Sequence, residues 1–202
     1  MRFAMIALLA AFGAANPAPA QVAATKYTKM APIGRYLMAD QSAEIALART
    51  AAPKSIARAA GVMVLGPRGF VTAVKSRNGF VCIVGRRWSS APEADFWNPN
   101  VRVPMCLNAA AVRSYLVRIT KITDLALAGR TPAQVNQAVA AAIRKKELPP
   151  MEPGAMCYMM GKGGYGGDVI PHWPPHLMFF FSDTDPATLG SESAGFSRLR
   201  GC

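Results

Sequence analysis

The chain of 202 residues carries 23 Lys and Arg against 11 Asp and Glu, a formal net charge of +12, with 51% hydrophobic and 17% charged residues. This balance excludes a disordered polar chain, and 17 Gly with 16 Pro exclude a mainly coiled-coil protein. The length fits one domain with its own hydrophobic core, and we expect no transmembrane anchor after the N-terminal region because no apolar run there reaches about 18 residues.

The first 20 residues have the pattern of a secretory signal peptide. Arg2 precedes an apolar run over residues 3–15, and the following segment breaks that run and ends in the small residues Ala18 and Ala20. The run has about 13 residues, whereas a bilayer-spanning helix needs about 20, so a membrane anchor is the weaker alternative. We therefore expect residues 1–20 to be removed and the mature protein to be periplasmic or secreted.

Four cysteines would enter this oxidising compartment, where an even number favours disulfides. They are Cys82, Cys106, Cys157 and Cys202, and none belongs to a Cys-x-x-Cys motif that would indicate a redox-active dithiol or a zinc knuckle. A bridge between Cys82 and Cys106 would stabilise the fold by about 3 kcal/mol. The alternative is that Cys82 is a buried thiol on an apolar face.

Residues 21–40 lack hydrophobic periodicity and predict an extended N-terminal arm, which leads into a single domain over residues 41–190. The first predicted helix covers residues 42–49 and ends before Pro53. Residues 62–65 are a short apolar run between glycines and predict a strand.

Residues 70–87 give the clearest local signal, because two β-prone runs flank Asn78-Gly79, a dipeptide typical of type I′ turns. The pattern predicts a β-hairpin over these residues. Both faces of the pair are largely apolar, so we place the hairpin at the centre of an antiparallel sheet.

Two further helices are predicted downstream. Asn108 can cap the first, whose apolar stripe lies within residues 112–126 and which ends at Gly129. Thr131 and Gln134 form a capping-box pattern for the second helix, which extends to about residue 146.

The last third contains two apolar runs, residues 155–160 and 177–181, that predict strands on either side of a mobile glycine-rich loop. The order of elements indicates an α+β fold in which two to three helices pack on one side of the antiparallel sheet. Residues 191–202 have no apolar period and predict an irregular tail, typical of a truncated end.

The glycine-rich segment, residues 161–167, matches Gly-x-Gly-x-x-Gly. A dinucleotide site needs a helix to begin there, and Pro171, Pro174 and Pro175 exclude one, so we expect no nucleotide. The segment still offers backbone freedom beside aromatic and polar groups. We predict that the ligand-binding residues are Tyr165, His172, Trp173 and His176.

His172 and His176 are the chain's only histidines, and with Asp168 they form a candidate metal site. Cys157 or Asp183 could supply the third ligand instead. Two alternatives remain: polar loop histidines packed on Trp173, or a histidine acting as a general base whose nucleophile the sequence does not identify. No cofactor follows from these residues.

Basic residues are spread along the chain, with concentrations at Lys75, Arg77, Arg86 and Arg87 and at residues 144–146. A positive field attracts anionic envelope components, and for an exported protein these are better partners than nucleic acid. The alternative is that the charge maintains solubility and that residues 144–146 complement a helix dipole.

Four segments together resemble a family of small exported bacterial proteins of unknown function. They are residues 79–84 with Trp88, 96–106, 153–160 and 172–180. The resemblance covers residues 42–189 and implies a further apolar strand where this chain has residues 191–202. It implies no catalytic role for any residue.

The sequence thus predicts an exported soluble protein that acts as a noncatalytic binding or envelope-associated protein. The alternative is a metal-binding protein or metal-dependent enzyme that uses His172 and His176.

Overall fold

The computed structural model describes residues 26–89, 95–168 and 170–181. The predicted signal peptide, the tail over residues 191–202, Asp183 and Cys202 lie outside the described residues. Five α-helices accompany six strands: α1 Gln41–Arg49, α2 Lys54–Ala57, β1 Gly61–Gly66, β2 Gly69–Val74, β3 Val81–Gly85, β4 Val103–Leu107, α3 Ala109–Arg113, α4 Tyr115–Leu127, α5 Pro132–Arg144, β5 Met156–Met159 and β6 His176–Phe179.

Side-chain caps fix the starts of three helices. The backbone N–H of Ser42 donates to Asp40 Oδ1 over 2.8 Å at α1, and that of Ala111 donates to Asn108 Oδ1 over 2.9 Å at α3. The predicted capping box of Thr131 and Gln134 is present at α5. The helix predicted after Asn108 is interrupted at Ser114, whose hydroxyl donates to the carbonyl of Ala110 over 2.7 Å, and so it forms two helices, α3 and α4.

The six strands form one mixed, mostly antiparallel sheet in the order β2-β1-β3-β4-β5-β6. With its helices, this confirms the predicted α+β single domain. The predicted hairpin over residues 70–87 is wrong, because β1 lies between β2 and β3. β2 pairs antiparallel with β1, whereas β3 runs parallel to β1 and antiparallel to β4.

Asn78-Gly79 lies in a bend of the chain, with Gly79 at a φ of 78°. The bend is tied to the α2 region and does not close a hairpin, because the Asn78 amide donates to the Ile56 carbonyl over 2.9 Å. The backbone N–H of Gly61 donates to the Phe80 carbonyl over 2.8 Å, which starts the parallel pairing of β1 with β3. The dipeptide thus coincides with a change of chain direction, but it does not identify the strand that pairs with β3.

Helices cover both faces of the sheet, which corrects the expectation that they pack on one side. On one face, which we call the α1 face, small residues of α1 and α2 such as Ala48 and Ala57 pack on Val62, Cys82 and Cys106. On the opposite face, α3 and α4 pack on β3, β4 and β5, and α5 packs behind α4.

Cys82 and Cys106 are directly opposite each other in β3 and β4 and form a disulfide, which confirms the predicted bridge. Both cysteines are buried. Cys157 is a buried thiol in β5, and burial raises its pKa to about 12. Among the described residues no helix has the length and apolar character needed to cross a membrane.

A buried ion pair joins α1 to the residue that follows β3. Arg86 Nη2 donates to Glu44 Oε1 over 3.0 Å, and both side chains are almost fully buried, with 0% and 3% exposure. Arg86 Nε also donates to the Tyr36 carbonyl over 2.7 Å, and Glu44 Oε1 accepts from the Leu65 N–H over 3.2 Å. Burial lowers the pKa of Arg86, and the Glu44 carboxylate opposes that shift.

Candidate functional site

The glycine-rich segment is closely packed, contrary to the mobile loop that the sequence suggested. A Cβ on Gly164 would lie 2.7 Å from Pro104 and 3.0 Å from the Trp173 ring, and one on Gly166 would lie 2.7 Å from the same ring. Glycine is required at both positions because the indole lies directly against the backbone. Trp173 is therefore half-buried against the core.

Tyr165 is held by its backbone and by its hydroxyl. Its N–H and C=O exchange two 2.8 Å hydrogen bonds with Arg102, and its hydroxyl donates to Asp168 Oδ1. Asp168 Oδ2 also accepts from Lys26 Nζ and from the Tyr27 hydroxyl, each over 3.3 Å. The hydrogen bond from Tyr165, followed by the Lys26 contacts, lowers the pKa of Asp168. Tyr165 and Asp168 thus anchor the N-terminal arm.

Asp168, His172 and His176 do not come together as a metal-binding group in the described residues. In the described part of the chain, no three His, Cys, Asp or Glu side chains are placed so that they could hold a metal ion. His172 Nδ1 lies 2.9 Å from the Gly164 carbonyl, and His176 Nδ1 lies 2.8 Å from the Pro174 carbonyl. A carbonyl only accepts, so Nδ1 of each ring is the donor in its contact.

One of the four predicted ligand-binding residues, His176, lines a surface groove on the molecule. The groove has a volume of about 270 Å³ and lies between Pro53, which directly precedes α2, and the start of β6. Its lining residues are Pro53, Tyr158, Met160, Pro175, His176 and Leu177. The side chains of these residues are apolar apart from the Tyr158 hydroxyl and the His176 imidazole. The groove is therefore suited to apolar groups.

The groove continues onto an uncovered part of the α1 face. Leu177 and Phe179 pair with Tyr158 and Met156 across the β5–β6 ladder, so these four side chains share one face of the sheet. Leu177 is 45% exposed and Phe179 is 58% exposed, and Met160 beside them is 40% exposed. We call the groove together with Leu177 and Phe179 the β6 surface.

The uncovered face follows from where the helices lie. The segment after α1 reaches only as far as Met160, whose N–H donates to the Ala51 carbonyl over 2.9 Å. Tyr158 contacts the ring of Phe80 with centroids 6.2 Å apart, at the border of the helix-covered core. Beyond Tyr158, no described helix covers β6 on this side, and Phe179 is left exposed.

Sequence reasoning missed Pro53, Tyr158, Met160 and Leu177 as site residues. Pro53 was recognised as the end of a helix, and the other three as ordinary strand residues. One signal was available, since residues 173–181 contain five apolar or aromatic residues after the prolines and no Lys, Arg, Asp or Glu. A strand at the edge of a sheet usually carries such charges, but the sequence could not show that β6 is at the edge.

Comparison with family models, with curated proteins and with solved structures finds no match to this chain. The resemblance to small exported bacterial proteins therefore stays a prediction, and the function is inferred from the geometry of the site.

Proposed function

We propose that this is an exported, noncatalytic binding protein whose β6 surface takes apolar side chains of a partner polypeptide in an oxidising compartment such as the periplasm. The single observation that carries the proposal is the continuity of the groove with the exposed side chains of Leu177 and Phe179. Contiguous exposed apolar surface of this kind is typical of an interaction site.

The size of the groove favours a side chain over a whole small molecule. Pockets for drug-sized ligands have about 300 to 1,000 Å³ and enclose most of the ligand, whereas this groove has about 270 Å³ and is open to solvent. An aromatic or aliphatic side chain of a peptide would fill it, and neighbouring side chains would contact Leu177 and Phe179.

The disulfide supports the proposed compartment. Cys82 and Cys106 form a buried bridge between adjacent strands, and such bridges persist in oxidising environments. The N-terminal pattern of residues 1–20 independently predicts export.

A peptide titration tests the proposal. The probe is a fluorescein-labelled peptide of seven residues that alternates phenylalanine with glutamate, used below micromolar concentration and followed by fluorescence polarisation. We expect saturable binding that Leu177→Asp weakens at least about tenfold, since removing one buried apolar side chain costs about 1.5 to 3 kcal/mol. The matched control is Val71→Asp on β2, where the side chain is 53% exposed, and it should bind like the wild type.

The two histidines provide a second comparison within the same assay. His176 lines the groove, whereas His172 faces the carbonyl of Gly164. We expect His176→Ala to weaken peptide binding and His172→Ala to leave it unchanged. A wild-type protein that binds no peptide of this type, or equal effects of Leu177→Asp and Val71→Asp, would show that the proposed function is wrong.

A further inference from the structure

The main chain of β6 offers hydrogen-bonding groups at the edge of the sheet. The N–H of Phe180 donates to the Ala155 carbonyl over 2.9 Å, in register with the β5–β6 ladder. Since main-chain groups alternate in direction along a strand, Met178 and His176 face β5 in the same way. The N–H and C=O groups of Leu177 and Phe179 therefore point away from β5, where no described strand pairs with them.

Cations flank the β6 surface. Lys54 directly follows Pro53, and Lys162 is two residues beyond Met160; both side chains are exposed. No Asp or Glu lies within two residues of any groove-lining residue in the sequence. The local charge has the same sign as the net charge of +12, so an approaching anionic partner is attracted over a long range.

We infer that the partner binds as an extended acidic segment that adds a seventh strand to the sheet along β6, with one apolar side chain in the groove. The inference rests on the proposed function and specifies how its site is used. In such strand addition, main-chain hydrogen bonds supply affinity and pockets for alternate side chains supply specificity. Leu177 and Phe179 can take part in both kinds of contact. The main-chain N–H and C=O groups of each point away from β5, and each side chain is exposed.

Two other occupants fit the β6 surface less well. A second copy of the chain would bring two strongly positive chains together, which opposes pairing of β6 with itself. A lipid surface would cover the apolar side chains but would leave the edge N–H and C=O groups without partners, and each such group costs free energy when it is buried.

Backbone methylation of the probe tests strand addition directly. Alternate amides of an added strand face β6, so N-methylation of one alternate set should abolish binding, and methylation of the other set should change it less than about threefold. If both methylated peptides bind as tightly as the unmodified probe, strand addition is wrong, although groove binding itself stands. If no peptide binds, the proposed function fails as well.

Charge substitution tests the acidic character of the partner. We expect Lys54→Glu combined with Lys162→Glu to weaken probe binding at least tenfold at low salt, with a smaller difference at high salt because exposed charges are screened. The matched control combines Arg68→Glu with Lys75→Glu, two exposed cations that flank β2 at the opposite edge, and it should have little effect. Equal effects of the two pairs would overturn the acidic preference.

Three control measurements test for the other occupants. Binding to phosphatidylglycerol vesicles that Leu177→Asp abolishes, without peptide binding, would assign the surface to a membrane. A dimer in sedimentation that the same substitution dissociates would assign it to a second copy. Displacement of the probe by a synthetic peptide of residues 182–202 would assign it to the chain's own C-terminal segment. Each of these results would overturn the inference, and we expect none of them.

Discussion

The two edges of the sheet differ in how they are protected. β2 is flanked by the exposed cations Arg68 and Lys75, and its pairing with β1 has a register shift at Val62 and Met63. Residues 173–181, which include β6, contain no Lys, Arg, Asp or Glu, and the pairing of β5 with β6 keeps one continuous register. Charges and bulges are the usual means by which proteins prevent edge-to-edge pairing. Among the described residues, the β2 edge is therefore protected against a further strand and the β6 edge is not.

The side-chain packing beside the two edges also differs. β1 is tied to α1 by the hydrogen bond from Leu65 to Glu44, which also pairs with the buried Arg86. At the other edge, Leu177 and Phe179 contact solvent, and only the opposite face is packed, by the stacked rings of Tyr115 and Phe180 with centroids 3.9 Å apart. We therefore expect stability to depend on the β1 side and binding to depend on the β6 side.

The largest expected effect is the loss of the buried ion pair. Glu44→Ala leaves the Arg86 guanidinium buried without its carboxylate and should lower the free energy of unfolding by about 3 to 5 kcal/mol in urea titrations. Leu177→Asp, at a half-exposed edge position, should cost about 1 kcal/mol or less. If the two variants lost similar amounts of unfolding free energy, stability would not depend more on the β1 side than on the β6 side.

A double variant separates burial of charge from packing. Replacing Glu44 by Leu and Arg86 by Met together removes both charges, so the protein should lose less stability than with Glu44→Ala alone. If the double variant is the less stable protein, the hydrogen bonds of Arg86 to the Tyr36 and Val84 carbonyls matter more than the pairing of charges.

The next effect concerns the bridge between the two halves of the sheet. Cys82 belongs to β3 and Cys106 to β4, so the disulfide joins the strands β2, β1 and β3 to the strands β4, β5 and β6. Its reduction should lower the free energy of unfolding by about 3 kcal/mol, since the bridge closes a loop with a sequence separation of 24. Binding at the β6 surface should persist while the reduced protein is folded.

Cys157 serves as the internal control for that experiment. Burial raises the pKa of its thiol to about 12, so it stays protonated near neutral pH and should resist iodoacetamide in the folded protein. Peptide mapping without reductant should recover Cys82 and Cys106 as one linked pair and Cys157 as a free thiol. Recovery of both Cys82 and Cys106 as free thiols would contradict the structure.

Local signals in the sequence predicted the elements well and their partners poorly. The capping residues Asn108 and Thr131 begin helices as expected, because a cap acts over three residues. Asn78-Gly79 lies in a bend, but the strand after it pairs with β1, which precedes β2 in the chain. Pairing across a sheet depends on which strands bury the most surface together, and a dipeptide does not carry that information.

At the candidate site, too, the sequence indicated local features but not which residues come together. The prolines and histidines of residues 172–176 pointed to the region of the groove that we propose as the site, and His176 lines that groove. The glycines suggested mobility, but Gly164 and Gly166 make room for Trp173, and close packing and flexibility both select glycine. Tyr158 and Met160 could not be recognised, since their exposure follows from where α1 ends.

The smallest expected effect concerns Asp168, which holds the N-terminal arm through Lys26 and Tyr27. Hydrogen bonds from Tyr165 and Lys26 lower the pKa of Asp168 in the folded protein. The carboxylate therefore stabilises the arm at pH values above its ordinary pKa of about 4, and this contribution is lost as the pH falls through the lowered pKa. NMR titration of the carboxyl carbon of Asp168 should accordingly give a midpoint below that ordinary value.

The same contact should control access of trypsin to the bond after Lys26. Asp168→Asn removes the charge that Lys26 and Tyr27 contact, so cleavage at Lys26 should be faster at neutral pH, while Glu147→Gln, at an exposed acid elsewhere, should have no effect. Probe binding should be unchanged in both variants, because Asp168 does not line the groove. If Asp168→Asn weakened probe binding as strongly as Leu177→Asp, the N-terminal arm would belong to the binding surface. Residues 26–27 would then have to be counted with the β6 surface.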